Sequence, residues 1–338
     1  MTPATGDKGQ GDELMSDATK RFPLMATRLM PEAVEARFRD EFDARPNEED
    51  TPLDRKLLIE RAEGCHGIVG SPTERFDAET IALLPESVEI LATFSVGCDH
   101  IDLEAAKARG LVVCNTPDVL TDATADTTIL CLLGAARMAQ SAEAVLRRGE
   151  WGRWSPRGML GTDMTGKRLG IVGMGRIGQG VARRAQGFGM EVMYHNRRER
   201  PPEEAEGATF HADAAEMLPQ CDFLALTCPL TDETHHWLNA ERIALLPDGA
   251  VVANTARGPV VDDDALIPAL ESGRVAAAGL DVFTGEPKLD ERYLKLENAF
   301  LLPHIGSATI ETRNAMGFRC LDNMKAHAEG TDYPSRVA

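Results

Sequence analysis

Residues 169–178 read LGIVGMGRIG, an apolar run that ends in three closely spaced glycines. The run up to Gly173 is typical of a buried strand, and the following stretch to about residue 187, rich in Ala, Arg and Gln, favours a helix. In a strand–turn–helix unit, Gly173 permits the tight turn, Gly175 admits a ligand close to the backbone, and Gly178 lets helix and strand pack. The helix N-terminus then suits a diphosphate, so we expect a dinucleotide here, contacted also by Arg176 and Ile177.

Strands and helices alternate after this unit. Apolar runs predict strands at 191–195, 223–227, 250–255, 276–282 and 300–304, with helices near 239–246 and 262–272. This alternation predicts a doubly wound Rossmann domain, in which helices cover both faces of a parallel sheet. A weaker form of the pattern, with strands at 67–71, 89–94 and 111–115, predicts a second, smaller, flavodoxin-like domain. The fold class is therefore α/β, with two doubly wound parallel-sheet domains.

The domain boundaries follow from a long apolar helix at about 122–137, which we expect to carry the chain across to the cofactor domain. The 34 residues after His304 are too few for a further domain and are expected to pack back onto the first one. The polar residues at the start lack the apolar core of a signal peptide, which predicts disorder. The expected units are a disordered extension at 1–20, a substrate domain at 21–118 and 305–338, and a cofactor domain at 119–304.

The composition argues against several classes of partner. A formal charge of −18 disfavours nucleic acid and anionic membrane surfaces as main partners. No run approaches the ~18 apolar residues that a membrane span needs. The seven cysteines form no C-x-x-C pair, which favours a reducing, cytoplasmic location. His235 and His236 have no Cys, Asp or Glu cluster at ligand spacing, so we expect no metal.

A basic segment interrupts this acidic chain. Residues 166–200 hold eight Lys or Arg against two Glu, which favours a small anionic ligand, although a charged helix face would look the same. After the strand that ends at His195 come Asn196, Arg197 and Arg198, where an NAD site would place a carboxylate for the ribose 2′-hydroxyl. Guanidinium groups pair with a 2′-phosphate instead, so we expect NADP(H) to be preferred and NAD(H) to be possible. The alternative is that both arginines are solvated loop residues.

Three segments at the ends of late strands carry the remaining candidates: NTARGPVVDDDAL with Arg257, GLDVFTGEP with Glu286, and LLPHIGSAT with His304. Reduction of a 2-keto acid needs a cation for the carboxylate and a proton donor for the carbonyl oxygen. The donor fork of Arg257 suits the first task and the imidazole of His304 the second. Glu286 can hydrogen-bond the other imidazole nitrogen and keep the donor oriented and protonated. The alternative is that these residues only cap elements or fill the core.

Together with the glycine loop, these segments closely resemble the D-isomer-specific 2-hydroxyacid dehydrogenases, above all the glyoxylate/hydroxypyruvate reductase branch, over about residues 65–330. The resemblance implies the same catalytic roles for Arg257, Glu286 and His304. It also implies that the backbone N–H groups of Val96 and Gly97 bind the substrate carboxylate. Further cofactor contacts implied by the resemblance are Thr128, Pro229, Thr255, Ala256, Asp281 and Ser307.

The resemblance also implies a homodimer, with residues 147–165 of the cofactor domain as the dimer arm. Trp151 and Trp154 lie in the polar segment RRGEWGRWSP, and exposed tryptophans are unusual unless something covers them. In the resembling branch, a Trp such as Trp154 can approach the partner's substrate site. The expected activity is reduction of glyoxylate or hydroxypyruvate with NADPH. The alternatives are a reductase of another 2-keto acid, of the D-lactate or phosphoglycerate type, and an NAD(P)H-sensing, corepressor-like binding protein.

Overall fold

The computed structural model describes residues 21–338 and contains two sheets in which all strands run parallel. The smaller sheet has the flavodoxin-like order β2-β1-β3-β4-β5. Its strands are β1 (Pro23–Ala26), β2 (Asp43–Arg45), β3 (Gly67–Gly70), β4 (Ile90–Thr93) and β5 (Val112–Cys114). The helices between them are α1 (Glu32–Glu41), α2 (Arg55–Ala62), α3 (Ala78–Leu83) and α4 (Leu103–Arg109). The predicted disordered extension, 1–20, lies outside the described residues.

Aspartates start three of these helices. The side chains of Asp54, Asp77 and Asp102 each accept a hydrogen bond from the backbone N–H three residues further on. Such caps satisfy N–H groups that the first helical turn leaves without a partner. The cap at Asp102 fixes the point at which the loop after β4, which contains Val96 and Gly97, enters α4.

The larger sheet has seven strands in the order β12-β11-β10-β9-β6-β7-β8. The strand order reverses between β6 and β9, and ligands of such sheets bind at this switch point, outside the carboxyl ends of the strands. The helices are α5 (Thr121–Ala136), α6 (Ala139–Arg147), α7 (Arg176–Gly187), α8 (Ala214–Met217), α9 (Ala240–Leu245) and α10 (Asp263–Glu271). The strands are β6 (Arg168–Val172), β7 (Glu191–His195), β8 (Thr209–His211), β9 (Phe223–Leu226), β10 (Ala250–Asn254), β11 (Val275–Leu280) and β12 (Ala299–Leu301).

Both faces of the larger sheet are buried, which explains its continuous apolar strands. In β9, Phe223 and Ala225 face a core shared with α5 and α7, whereas Leu224 and Leu226 face a core shared with α9 and α10. Side chains alternate along a strand, so a run without polar residues is needed to fill both cores. The predicted fold class, two doubly wound parallel-sheet units, is confirmed.

The last helix, α11 (Ile310–Glu329), returns to the smaller sheet and packs against β4, β3 and α1. Beyond it the chain pairs with β5, where the N–H of Val113 donates to the carbonyl of Ala338 at 3.1 Å. We call the unit on the smaller sheet, with α11, the first lobe, and the unit on the larger sheet, with α5, the second lobe. Among residues 21–338, no single helix is long and apolar enough to cross a membrane. In that part of the chain, the pair α5 and α6, which meet at 66°, has this length and composition when the two helices are taken together.

The predicted strand at 300–304 is wrong at its carboxyl end, because β12 already stops at Leu301. Pro303 has no N–H to donate to a ladder, and His304 has a left-handed φ of 53°. The histidine therefore lies in a tight turn just beyond the sheet. The short strands β1, β2 and β8 have no counterpart among the predicted strands.

Candidate active site

The glycine loop lies between β6 and α7 at the switch point of the larger sheet. Gly173 has a φ of 98°, and a Cβ atom there would lie 2.5 Å from the backbone N of Cys228, so only glycine fits. A Cβ on Gly175 would meet nothing within 4 Å, so the space before α7 is open. Bare backbone facing open space at a helix N-terminus fits the diphosphate of a dinucleotide.

Three side chains from two later segments hold this loop in place. Asn196 Oδ1 accepts from the N–H of Met174 at 2.8 Å, and Thr227 Oγ1 donates to the carbonyl of Gly173 at 2.8 Å. Arg200 Nε donates to the carbonyl of Met174 at 2.9 Å. Asn196 therefore shapes the loop, in addition to the cofactor contact predicted for it. The contributions of Thr227 and Arg200 were not predicted, because nothing in their local sequence indicates them.

Most of the basic segment is paired with carboxylates. Within residues 21–338, only Arg197 and Arg198 of its eight Lys and Arg residues have no carboxylate oxygen within 4.0 Å, and both are exposed beyond the end of β7. Two guanidinium groups without a carboxylate partner among the described residues thus lie where the sequence predicts a contact with a 2′-phosphate. The paired residues are Lys167 and Arg168 with Asp222, Arg176 with Asp118, Arg183 with Glu206, Arg184 with Asp122 and Asp126, and Arg200 with Glu204.

His304 and Glu286 are joined by a hydrogen bond of 2.7 Å between Nδ1 and Oε2. The other carboxylate oxygen of Glu286 accepts from the N–H of Phe283 at 2.8 Å. Burial alone would raise the pKa of Glu286, but the bonds from His304 and Phe283, with the charges of His304 and Arg257, outweigh it and lower that pKa. An ionised Glu286 holds a proton on Nδ1. Among the described residues Nε2 has no partner, so it is available to a ligand.

Arg257 lies at the end of β10 and reaches the loop after β4 in the first lobe. Its Nη1 donates to the carbonyl of Ala256 at 2.8 Å, and its Nε donates to Asp99 Oδ1 at 3.0 Å. A Cβ atom on Gly97 would lie 3.0 Å from Cζ of Arg257, with Nη2 closer still. The guanidinium therefore lies directly over Gly97, and only glycine leaves it room.

The loop at Val96 and Gly97 presents its N–H groups and hides its carbonyls. The carbonyl of Val96 accepts from Asn115 Nδ2 at 2.9 Å, and that of Gly97 from Ser95 Oγ at 2.7 Å. In the part of the chain that the structure describes, neither N–H has an acceptor. Two such N–H groups beside a guanidinium are suited to bind a carboxylate, and the predicted role of this loop stays a prediction.

Comparison with known proteins agrees with this geometry. Residues 129–306 match the family model of the D-isomer specific 2-hydroxyacid dehydrogenase NAD binding domain. The chain is 41% identical to the glyoxylate reductase of Thermococcus onnurineus, over 93% of this chain and 95% of the relative. The chain belongs to the D-isomer specific 2-hydroxyacid dehydrogenase family. This confirms the resemblance predicted from the motifs.

Two further relatives agree with that assignment. The glycerate dehydrogenase of Hyphomicrobium methylovorum is 40% identical over 93% of this chain and 98% of its own length. A crystal structure of the NADPH-dependent glyoxylate/hydroxypyruvate reductase of Sinorhizobium meliloti, in complex with NADP and malonate, superposes with a TM-score of 0.82. It is 36% identical and covers 94% of this chain and 97% of that one. The protein is a D-2-hydroxyacid dehydrogenase, an oxidoreductase with a domain for a nicotinamide cofactor.

In this dehydrogenase Asp281 holds the turn that carries His304. Its two carboxylate oxygens accept from the N–H groups of Ile305 at 2.7 Å and Gly306 at 2.8 Å, and its carbonyl accepts from the N–H of His304 at 2.9 Å. Burial raises the pKa of Asp281, and these N–H bonds with the charge of His304 offset only part of that effect. The predicted contact of Asp281 with the cofactor stays a prediction.

Thr128 lies behind Thr255. The two hydroxyls are 2.7 Å apart, and Thr128 Oγ1 also donates to the carbonyl of Thr124 at 2.8 Å, so Thr255 is the donor in the pair. Thr128 has no exposed surface, so it can act on a ligand only through Thr255. Ala256 is also buried, Ser307 is half-buried and Pro229 is exposed. Their predicted cofactor contacts stay predictions.

A buried chain of hydrogen bonds supports the Val96–Gly97 loop from below. His100 Nε2 lies 2.9 Å from Thr93 Oγ1, which lies 2.9 Å from Ser95 Oγ, the donor to the Gly97 carbonyl. Because Ser95 donates onward, Thr93 donates to Ser95 and His100 donates to Thr93. Burial lowers the pKa of His100 to about 4, so its ring is neutral in the fold. No motif in the sequence singled out this histidine.

Proposed function

We propose that this dehydrogenase reduces glyoxylate or hydroxypyruvate to the corresponding 2-hydroxy acid, with NADPH as the preferred reductant. The observation that carries the proposal is that a Glu286–His304 pair and the Arg257 guanidinium, both beyond the larger sheet, lie beside two backbone N–H groups of the loop after β4 that have no acceptor among the described residues. Such a set can bind one carboxylate and protonate one adjacent carbonyl oxygen. The names of the relatives, glyoxylate reductase and glycerate dehydrogenase, support a small substrate.

The residues of the site have separate tasks. The N–H groups of Val96 and Gly97, with Arg257, hold the substrate carboxylate, and Arg257 also stabilises the charge that develops on the carbonyl oxygen. His304 gives the proton on Nε2 to that oxygen while Glu286 keeps Nδ1 protonated and the ring in place. When bound, the reduced nicotinamide supplies the hydride. The residues proposed to hold the cofactor are Gly173, Gly175, Arg176, Ile177, Gly178, Asn196, Arg197, Arg198, Thr255, Ala256, Asp281, Pro229 and Ser307, with Thr128 behind them.

The preference for NADPH rests on Arg197 and Arg198. Both guanidinium groups are exposed and, among the described residues, have no carboxylate within 4.0 Å, so neither must break an ion pair to bind a phosphate. A charge-assisted hydrogen bond contributes about 1.5–3 kcal/mol, or about 10- to 150-fold in affinity. The relative from Sinorhizobium meliloti that binds NADP supports the same choice.

We also propose the division into a substrate lobe at 21–118 and 305–338 and a cofactor lobe at 119–304, and a homodimer through the arm at 147–165. The arm exposes large apolar side chains, with Trp151 at 62%, Trp154 at 79% and Leu160 at 71% exposure, which a second copy would cover. All seven cysteines are free thiols, which supports a reducing, cytoplasmic location.

The test is a spectrophotometric screen of NADPH and NADH oxidation with glyoxylate, hydroxypyruvate, pyruvate and larger 2-keto acids. We expect the highest kcat/KM with NADPH and one of the first two acids. The variant Arg197→Ala/Arg198→Ala should lose about 10- to 150-fold in the NADPH to NADH ratio of kcat/KM. Arg183→Ala, which removes a paired arginine of the same segment, should leave the ratio unchanged. A wild type that prefers NADH refutes the cofactor preference, and one that prefers pyruvate or a larger acid refutes the substrate.

A further inference from the structure

We infer that Asp99 is a positioning residue that directs the Arg257 guanidinium at the substrate carboxylate across the gap between the two lobes. The inference rests on the proposed function, because it assigns Asp99 a part in the same carboxylate site. Asp99 follows Gly97 in the loop after β4, whereas Arg257 follows β10, 158 residues later. The two side chains therefore meet only through the tertiary structure.

The contacts of Arg257 leave its free donors on one side. A guanidinium has five N–H donors in a rigid plane. Nε donates to Asp99 and one N–H of Nη1 donates to the carbonyl of Ala256. The three remaining donors, two of them on Nη2, stay free of these bonds. Nη2 lies over Gly97, whose own N–H has no acceptor among residues 21–338, so the open end of the fork and the backbone donors can bind the same anion.

Asp99 is the residue that sets this direction. Among the described residues no other carboxylate lies within 4.0 Å of Arg257, and the two side chains are only 26% and 33% exposed. The bond to Ala256 holds one corner of the guanidinium, but a planar group held at one corner can still turn about it. The second bond, at Nε, removes that freedom. Since Asp99 belongs to the first lobe and Arg257 to the second, the orientation of the guanidinium also depends on the distance between the lobes.

The test compares Asp99→Ala and Asp99→Asn in the full-length enzyme with glyoxylate as substrate. Asp99→Ala should raise KM for glyoxylate by about 10-fold or more, which corresponds to about 1.4 kcal/mol. Because Arg257 also stabilises the charge that develops on the carbonyl oxygen, kcat should fall as well, and an inhibitor that is not turned over then reports on binding of the carboxylate alone. Asp99→Asn keeps a neutral acceptor in the same place and should recover most of the loss. The Ki of oxamate, a carboxylate that resembles a 2-keto acid, should follow KM, and the Kd of NADPH should not change.

The matched control is Asp322→Ala. Asp322 pairs with Arg37 Nη1 at 2.7 Å, and these side chains are 46% and 24% exposed, but the pair joins α1 and α11 within the first lobe. It should leave KM unchanged. The inference is overturned if the KM of Asp99→Ala for glyoxylate is within about twofold of wild type, or if the KM of Asp99→Asn is raised as much as that of Asp99→Ala. It is also overturned if the Kd for NADPH rises together with KM. If the wild type turns over no 2-keto acid, the proposed function fails, and oxamate binding, followed by NADPH fluorescence, still tests Asp99.

Discussion

A single methyl group on Gly97 tests the assignment of the substrate carboxylate. In Gly97→Ala the new Cβ would lie 2.8 Å from Asp99 Oδ1 and 3.0 Å from Cζ of Arg257, with Nη2 closer still. Ordinary contact begins at 3.4 Å, so the guanidinium must retreat. The guanidinium can move, because it is the far end of a flexible side chain. The backbone at Gly97 also accepts alanine, because its φ is not left-handed. The protein should therefore fold with nearly wild-type stability.

This displacement of the guanidinium should weaken binding of the substrate carboxylate. A displacement of about 1 Å in a positioned group can cost about 100-fold in rate, and loss of one charge-assisted hydrogen bond costs about 10- to 150-fold in affinity. We expect Gly97→Ala to raise KM for glyoxylate by about 10- to 100-fold, with the Kd of NADPH unchanged. Steady-state kinetics and NADPH fluorescence titration measure the two quantities.

A matched glycine provides the control. A Cβ on Gly187, at the end of α7, would meet nothing within 4 Å, so Gly187→Ala should leave KM unchanged and add about 0.5–1 kcal/mol of stability. If Gly97→Ala keeps the wild-type KM while folding normally, Arg257 and the Gly97 backbone do not hold the carboxylate.

Three further results are expected. His304→Ala should lower kcat by about 10²–10⁴ without weakening NADPH binding, and unchanged turnover in stopped-flow assays would rule out His304 as the proton donor. The pKa of His100 is about 4 in the fold against an ordinary value of 6.5, so between these values only the unfolded chain takes up the proton and stability falls as pH falls. At about pH 5 the free energy of unfolding should be lower by about 2 kcal/mol because of this group. In urea unfolding, His100→Gln should abolish this pH-dependent decrease. An identical pH dependence in wild type and variant would contradict the burial argument. Sedimentation at micromolar concentration should show a dimer, and Trp154→Ala should raise KM for glyoxylate by roughly 10-fold; a fully active monomer would disprove the role of the arm.

The local parts of this fold were predictable because they depend on residues close in sequence. LGIVGMGRIG specifies a strand, a turn and a helix within ten residues, and the structure places β6, the loop and α7 there. The buried strands β9 and β10 were predicted to within one residue, because both faces of the sheet demand apolar side chains. The three-residue strands β2 and β8 are too short to give a periodic pattern, and pairing with their neighbours decides them.

By itself the sequence determined the family and the fold class, and it supplied the candidate residues of the proposed site, since motifs, apolar runs and charge can all be read along one chain. Only the tertiary structure decided which basic side chains near the glycine loop form ion pairs with carboxylates. Six of eight basic residues near the glycine loop meet carboxylates, five of them with partners at least 23 residues away in the sequence, and this leaves Arg197 and Arg198 exposed. Tertiary structure also brought Asp99 to Arg257 across 158 residues. Coulomb energy and hydrogen bonding depend on distance in space, and spacing along the chain carries no information about contacts between distant loops.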